Sequence, residues 1–430
     1  MRDPVAEFMT YNRPFVSRGP ELLRLKVARM AASPFGFFRG TFHLFARDVL
    51  DRTNEALPAL ATGGADLDLV GDIHSENYGT FKAADGKVHY DVNDFDETTR
   101  GRFTFDVARL ATSLFLAAGE ESLGFGPSVS VLVAFLQTYA AEVLHLVKRG
   151  GAGLDATEGS PSGSRAVDEL VSQMAAARRP PFIEKLTAYD GKHRHFVRGR
   201  QYYNLPADQE VQARRLLEDY RKRPGSPTGS DDYYAVEDMA GRVAGIGSMG
   251  RFRYAVLLAG KGTAEARNVI LEFKESLPSA YDTCRQRETG AAALAGRAER
   301  VIAVQRRSQA ASSAFLGVAL DGGLSFQARE IGPSAERIDF NKLRGAAGVA
   351  EVATVQARIL ARIHARSVAG AVGPTNPLAE LEDADVFCQR LLAFALAYAD
   401  LAVRDYHLFI GRRAEIEDTA SWAGTVAAGP

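Results

Sequence analysis

Apolar positions follow two rhythms along this chain. Over 20–60, 103–148, 347–367 and 384–409 they recur at the spacing of an amphipathic helix, so helices are predicted there. The first stretch is interrupted at SPFGFFRG (33–40), and 103–148 breaks at 124–127. Elsewhere the apolar runs are short and rich in β-formers. Residues 67–70 predict a strand that ends in Gly71-Asp72, and 78–81 with 88–92 predict a hairpin around Ala84-Asp85-Gly86. From Tyr234 three further strand-like runs follow, YYAVEDMAGRVAG, RFRYAVLLAG and NVILEFKES, and SFQARE (325–330) predicts another. Residues 281–317 read as one long helix.

Composition adds boundaries to this pattern. Gly and Ser dominate 150–164 (GGAGLDATEGSPSGS), a linker or surface-loop composition. The chain then divides into 1–150, a mainly helical part with an acidic loop; 151–231, a linker and charged helical insertion; 232–330, a β-rich lobe; and 331–430, C-terminal helices. A length of 430 residues exceeds one ordinary core, which makes two lobes the default. A formal net charge of −1 supplies no bulk attraction to nucleic acid or anionic membrane, so any phosphate recognition must be local. The two cysteines, Cys284 and Cys388, are too few and too far apart for a disulfide framework or a thiolate zinc site. The first residues, MRDPVAEFMTYNRPF, lack a signal-type apolar segment. The most apolar helix, 129–147, is broken by Ser130, Gln137, Thr138, Glu142 and His145 and reads as buried rather than membrane-spanning. A cytoplasmic protein is expected.

Two constellations carry chemistry. The first is LVGDIHSENYG followed by HYDVNDFDE. Carboxylates this dense at two neighbouring strand ends repel one another unless a cation or ligand relieves them. In phosphotransferases an Asp orients the acceptor hydroxyl, an Asn nearby binds magnesium, and a second Asp binds magnesium that bridges the phosphates. Asp72, Asn77 and Asp94 have the matching order, strand, D-x-x-x-x-N, hairpin, D, with Asp96 in support. A two-metal phosphoesterase also begins D-x-H, as in Asp72-Ile73-His74, but it needs further His and Asn ligands, and the eight histidines fall in no such context.

The second is Gly245-Ile246-Gly247-Ser248-Met249-Gly250, flanked by strands rather than by a strand and a helix. That context favours a turn folded over nucleotide phosphates, with Gly245, Gly247, Ser248 and Gly250 at the phosphates, over a dinucleotide fingerprint. The next strand ends in Lys274, placed to pair with phosphate oxygens. An acidic partner for Lys274 is sought on the helix that follows, where Glu288 and Glu299 both qualify and Glu275 is a weaker third. Arg39 could reach a phosphate or a substrate carboxylate, or simply end a helix. Asp106 and Arg109, three apart, suit a helical ion pair that braces the acidic hairpin. His364 is expected to sit satisfied behind the site.

Along the chain the acidic loop precedes the glycine turn, the reverse of an ordinary kinase. A circularly permuted kinase-like fold accommodates this order. The whole pattern resembles the bacterial family known as domain of unknown function 2252. The resembling pieces are SPFGFFRG, VGDIHSENYG, DVNDFDETTRGRFTFDVARLATS, GIGSMGRFRY, LEFKES, VIAVQRRSQAASSAFLG, LARIHARS and FALAYADLAVRDY, which span nearly the full chain. The resemblance implies a kinase-like or aminoglycoside-phosphotransferase-like fold. Those enzymes have His where this chain has Val70, so that backbone-supporting role must be filled elsewhere. The expectation is an α+β, two-lobed protein that binds ATP and Mg²⁺ and transfers phosphate to a hydroxyl of a small molecule or protein. A nucleotide-binding pseudokinase with a regulatory role and a metal-dependent phosphoesterase are the alternatives, and AMP transfer is a lesser variant.

Overall fold

The computed structural model describes all residues except 1, 52–56, 59, 61–65, 150–160, 263–265, 290–295, 369–380, 382, 419–421 and 423–430. Most of the Gly- and Ser-rich segment at 150–164 thus lies outside the described residues. The fold is α+β. The chain opens with helices α1 (Pro4–Val16), α2 (Pro20–Met30), α3 (Pro34–Gly40) and α4 (Phe42–Leu50). Strand β1 (Leu67–Leu69), hairpin β2 (Tyr78–Lys82) and β3 (Val88–Val92), and β4 (Thr99–Gly101) follow. Then come α5 (Phe103–Glu120), α6 (Phe125–Lys148), α7 (Arg165–Ala175), α8 (Arg179–Leu186), β5 (Thr187–Tyr189), β6 (Arg194–Phe196), β7 (Tyr202–Tyr203) and α9 (Ala207–Lys222). Strands β8 (Val236–Arg242), β9 (Arg253–Leu258) and β10 (Val269–Glu275) lead to α10 (Ala280–Thr289) and α11 (Arg297–Ser308). Hairpin β11 (Gly317–Asp321) and β12 (Leu324–Ile331) precedes α12 (Gly345–Ser367), α13 (Ala384–Gly411) and α14 (Arg413–Glu417).

Local chemistry explains the helix starts. Asp3 caps α1 by accepting from the Val5 and Ala6 amides, and Pro4 sits in the first turn where its missing N–H costs nothing. SPFGFFRG, expected as an interruption, is itself α3: Ser33 accepts from the Gly36 amide at 3.0 Å and Pro34 begins the helix. The long helix expected over 281–317 is α10 and α11, the latter ending at Ser308; 309–316 is irregular and leads into β11.

The helical body draws on both ends of the chain. α12 packs along α6 and α13 along α5, and one core runs from Phe35 through Leu132 and Phe135 to Leu360 and Tyr398. Each such fully buried side chain contributes about 1.5–3 kcal/mol. Among the described residues two helices, α6 and α13, are long and apolar enough to cross a membrane by length and composition, and here both help build this body.

The second body is a six-stranded antiparallel sheet in the order β11-β12-β10-β9-β8-β7. It begins earlier than the expected boundary at 232, because β7 pairs with β8 and α9 packs on β11. A two-residue strand carries no alternation for sequence to reveal. One face buries Val256, Leu271, Phe273 and Phe326 under Leu216 and Tyr220 of α9. The other face is divided. At one end Leu257 and Ile270 pack with Ile183 of α8 and with Phe196. At the other end Arg253, Glu272, Lys274 and Arg329 share the face, since Lys274 lies opposite Arg253 and Gln327 while Glu272 lies opposite Arg329. That charged end is turned toward the acidic loop of the helical body, as the contacts below show.

Candidate functional site

Between the two bodies lies a cavity of about 470 Å³ whose wall includes Asp72, Asn77, Asp94, Asp96, Gly245, Gly247 and Ser248. Strand β1 delivers Asp72. Asp106, in the first turn of α5, accepts from the Val70 amide at 2.8 Å and the Gly71 amide at 3.0 Å. Gly71 has φ of +89°, and a Cβ there would lie 2.2 Å from the Glu97 carbonyl oxygen, so only glycine fits. The Asp72 carboxylate accepts from Arg109 Nη2 at 2.8 Å and Nε at 3.1 Å. Arg109 is fully buried, with its guanidinium 3.5 Å above the Phe38 ring centre. Asn77 Nδ2 donates to the Asp72 carbonyl at 2.5 Å, which locks the loop across its five-residue span.

The expected Asp106–Arg109 ion pair is therefore replaced. Both side chains turn to the Asp72 loop, where a half-buried carboxylate and the Val70 and Gly71 amides offer better partners than a neighbouring turn. Asp106 thereby holds the backbone at Val70 and Gly71 in place. Behind it His364 is satisfied on both ring nitrogens, by Tyr139 Oη at 2.7 Å and Asp106 at 3.3 Å. Burial raises the Asp72 carboxyl to about 6, against the lowering pull of Arg109.

Asp94 and Asp96 follow the β2–β3 hairpin. Lys274 Nζ lies 3.3 Å from both Asp94 oxygens and also pairs with Asp96. Asp96 further accepts from Gln327 and Arg251. The Lys274 side chain is 2% exposed and lies behind the cavity wall, whereas that of Asp94 is 40% exposed. Burial works against the Asp94 charge, but Lys274, Arg329 and Arg253 outweigh it and hold this carboxyl well below the usual range. The acidic partners of Lys274 are thus these two aspartates. Glu299 accepts from Ser325 instead, at 3.4 Å, and the Glu288 side chain lies outside the described residues. Glu275 pairs with Arg18 at 2.8 Å, because adjacent strand residues face opposite ways.

The turn between β8 and β9 brings Gly247 over the loop: a Cβ there would sit 3.9 Å from Asp72 Oδ2. Ser248 donates to the Ala244 carbonyl at 3.1 Å and accepts from Arg253 at 3.1 Å, closing the turn. Gly250 departs from expectation. At φ of +96° it packs on α1, where a Cβ would lie 2.7 Å from Phe15 Cβ, and it does not line the cavity.

Sequence reasoning missed two features. Glu272, fully buried, accepts from Arg242, Arg253 and Arg329, three guanidiniums on one carboxylate. The available signal is period two: Glu272 with Lys274, and Gln327 with Arg329, are polar at alternate positions flanking apolar Phe273 and Ala328. The other is Lys26, whose ammonium is buried, donates to Asn12 Oδ1 at 2.8 Å and reaches the Gly247 carbonyl at 3.4 Å. Burial and Arg251 lower it to about 7. Nothing in the charged sequence of α2 distinguishes it.

Among the described residues no group of three or more His, Cys, Asp or Glu side chains forms a ready metal cage. Magnesium does not need one, because it is commonly held by one or two carboxylates with phosphate oxygens and water. The half-exposed Asp94 beside Asn77 on one cavity wall fits that mode. No curated protein and no solved structure matches the chain. A family model described as "uncharacterized protein conserved in bacteria (DUF2252)" matches residues 18–412, and the chain belongs to this family.

Proposed function

We propose that the cleft binds a nucleoside triphosphate with Mg²⁺ and transfers its terminal phosphoryl group to a hydroxyl acceptor, on a permuted kinase-like framework. One observation carries this reading. Lys274 on β10, the second strand after the glycine turn, meets Asp94, which follows the acidic hairpin, at 3.3 Å, across 180 positions of sequence. The glycine turn, the strand lysine, a D-x-x-x-x-N loop and a following aspartate are the parts a phosphotransferase assembles around a triphosphate. Chain order does not matter to that assembly, and α12 with α13 completes the helical body from the far end.

In this reading Gly245, Gly247 and Ser248 present backbone amides to phosphate oxygens, and Gly250 shapes the turn through its packing on Phe15. Lys274, Arg253 and Arg329 supply positive charge on the sheet side. Asn77 and Asp94, with Asp96 in support, would hold Mg²⁺, whose contribution is to neutralise phosphate charge. Asp72 orients the acceptor hydroxyl and takes its proton, while Arg109 fixes the carboxylate. The work of the protein is then positioning and electrostatics.

A base at about 6 has a signature. Asp72 must be ionised to accept a proton, so kcat/KM for ATP turnover should fall about tenfold per unit as pH drops below about 6 and be flat above it. Asp91, also raised to about 6 by burial, could imitate this limb. The limb should vanish in Asp72→Asn and persist in Asp91→Asn. Mg·ATP binding without turnover at any pH would favour a pseudokinase. Cleavage of aryl phosphates without nucleotide binding would favour a phosphoesterase.

A further inference from the structure

The corner of the cavity next to Asp72 is built by the end of α3, the single turn of 3-10 helix at Ser75–Asn77, and the segment after β12. Arg39 and Arg337 share one carboxylate: Glu76 lies 2.7 Å from Arg39 Nη1 and 3.4 Å from Arg337 Nη1. Arg337 also donates to the Glu76 carbonyl at 3.3 Å. The Arg39 guanidinium lies 5.4 Å from the Phe35 ring centre, and the Arg39 carbonyl oxygen lies 3.7 Å from where a Gly247 Cβ would be. It therefore borders both the glycine turn and Asp72.

Two buried polar atoms here have no hydrogen-bond partner, Arg39 Nε and His74 Nδ1. The His74 residue is 6% exposed yet lines the cavity. Burial, with Arg39, Arg109 and Arg337 nearby, holds its imidazole neutral at ordinary pH. Native structures rarely leave such groups unmet, and a small shift of either side chain on binding would turn them to ligand oxygens. Arg39 and Arg337 both line the cavity and share Glu76, with Asp72 and Glu120 farther from Arg39, so an anion entering beside Asp72 meets two guanidiniums. On the sheet side the arginines already converge on Glu272, so this corner is a separate feature.

We propose that the phosphoryl acceptor is a small hydroxy compound bearing a carboxylate or phosphate group, which Arg39 and Arg337 bind while its hydroxyl faces Asp72. The proposal rests on the phosphotransfer reading above and gives its acceptor a chemical class.

The test loads the protein with Mg²⁺ and a non-hydrolysable ATP analogue, so that the triphosphate position is filled. Inorganic phosphate, glycerate and neutral glycerol are then titrated calorimetrically up to about 50 mM, well above a millimolar Kd. At least one anion should bind and glycerol should not. Arg39→Gln and Arg337→Gln should each weaken that anion about tenfold or more, the scale of one lost charge-assisted contact, with analogue binding retained. Binding of phosphate alone assigns a phosphomonoester acceptor, and binding of glycerate alone assigns a hydroxy acid. If Arg39→Gln fails to fold, Arg337→Gln decides, because that side chain is 47% exposed. Analogue binding with neither anion bound, or anion affinity unchanged in the variants, overturns this inference alone. Failure of the analogue itself to bind overturns the phosphotransfer reading.

Discussion

Asp72→Asn is expected to lower ATP turnover by about 10²–10⁴ while nucleotide affinity stays within about twofold. The substitution keeps the shape of the side chain and removes its charge. Asp72 is half-buried just past β1, between Arg109 on one oxygen and the glycine turn near the other. It has no assigned contact to nucleotide or magnesium, so the loss should appear in kcat. The amide also faces Arg109, whose guanidinium then lacks its anionic partner, so a stability control belongs beside the kinetics. The first assay requires no known acceptor, since slow transfer to water can be followed. Wild-type turnover in Asp72→Asn, with binding intact, would remove Asp72 from the mechanism.

Glu272→Gln should destabilise the protein by about 3–5 kcal/mol, read as a fall in the urea midpoint. Arg242, Arg253 and Arg329 converge on this one fully buried carboxylate. Removing its charge leaves three guanidiniums clustered at the cavity wall around a neutral, fully buried group, and such loss of one buried partner costs more than the intact network stabilises. Burial opposes the Glu272 charge, but the three arginines hold its carboxyl well below the usual range. The stability it contributes is therefore present above its unfolded value and lost only as pH falls through the lower folded one. Nucleotide affinity should fall too, because Arg253 and Arg329 would lose their fixed positions under Asp94. A midpoint unchanged within the error of the measurement would show that the arginines are hydrated or paired elsewhere.

Much of this site is legible in the sequence because its parts are local. The spacing from Asp72 to Asn77 is set within one loop, and Asp94 follows a hairpin whose turn, Ala84-Asp85-Gly86, announces itself. The glycine turn lies between two strands with clear β patterning, and Lys274 ends the next. Helices α5, α6, α12 and α13 are legible from their apolar period for the same reason. What escapes is set by distant contacts. The partner of Lys274 is sought on the following helix and found on the hairpin from the other body. Gly250 serves a helix more than two hundred positions earlier, through Phe15. Asp106 and Arg109 have the spacing of a helical pair, yet the tertiary demand of a buried loop outweighs it. Lys26 looks like any surface lysine until α1 and the glycine turn close over it. Strands β7 and β11 are recruited by the sheet edge, and their own patterning is too short to show it.

The central claim is a metal–nucleotide site at the meeting of Asp94 and Lys274, and calorimetric titration of ATP with and without Mg²⁺ tests it most directly. Wild-type protein is predicted to bind Mg·ATP. Asp94→Asn should weaken that binding about tenfold or more and leave metal-free ATP nearly unaffected, because what is lost is a carboxylate ligand to a hard cation. No Mg·ATP binding by wild-type protein, or equal losses with and without the metal in Asp94→Asn, would contradict the account.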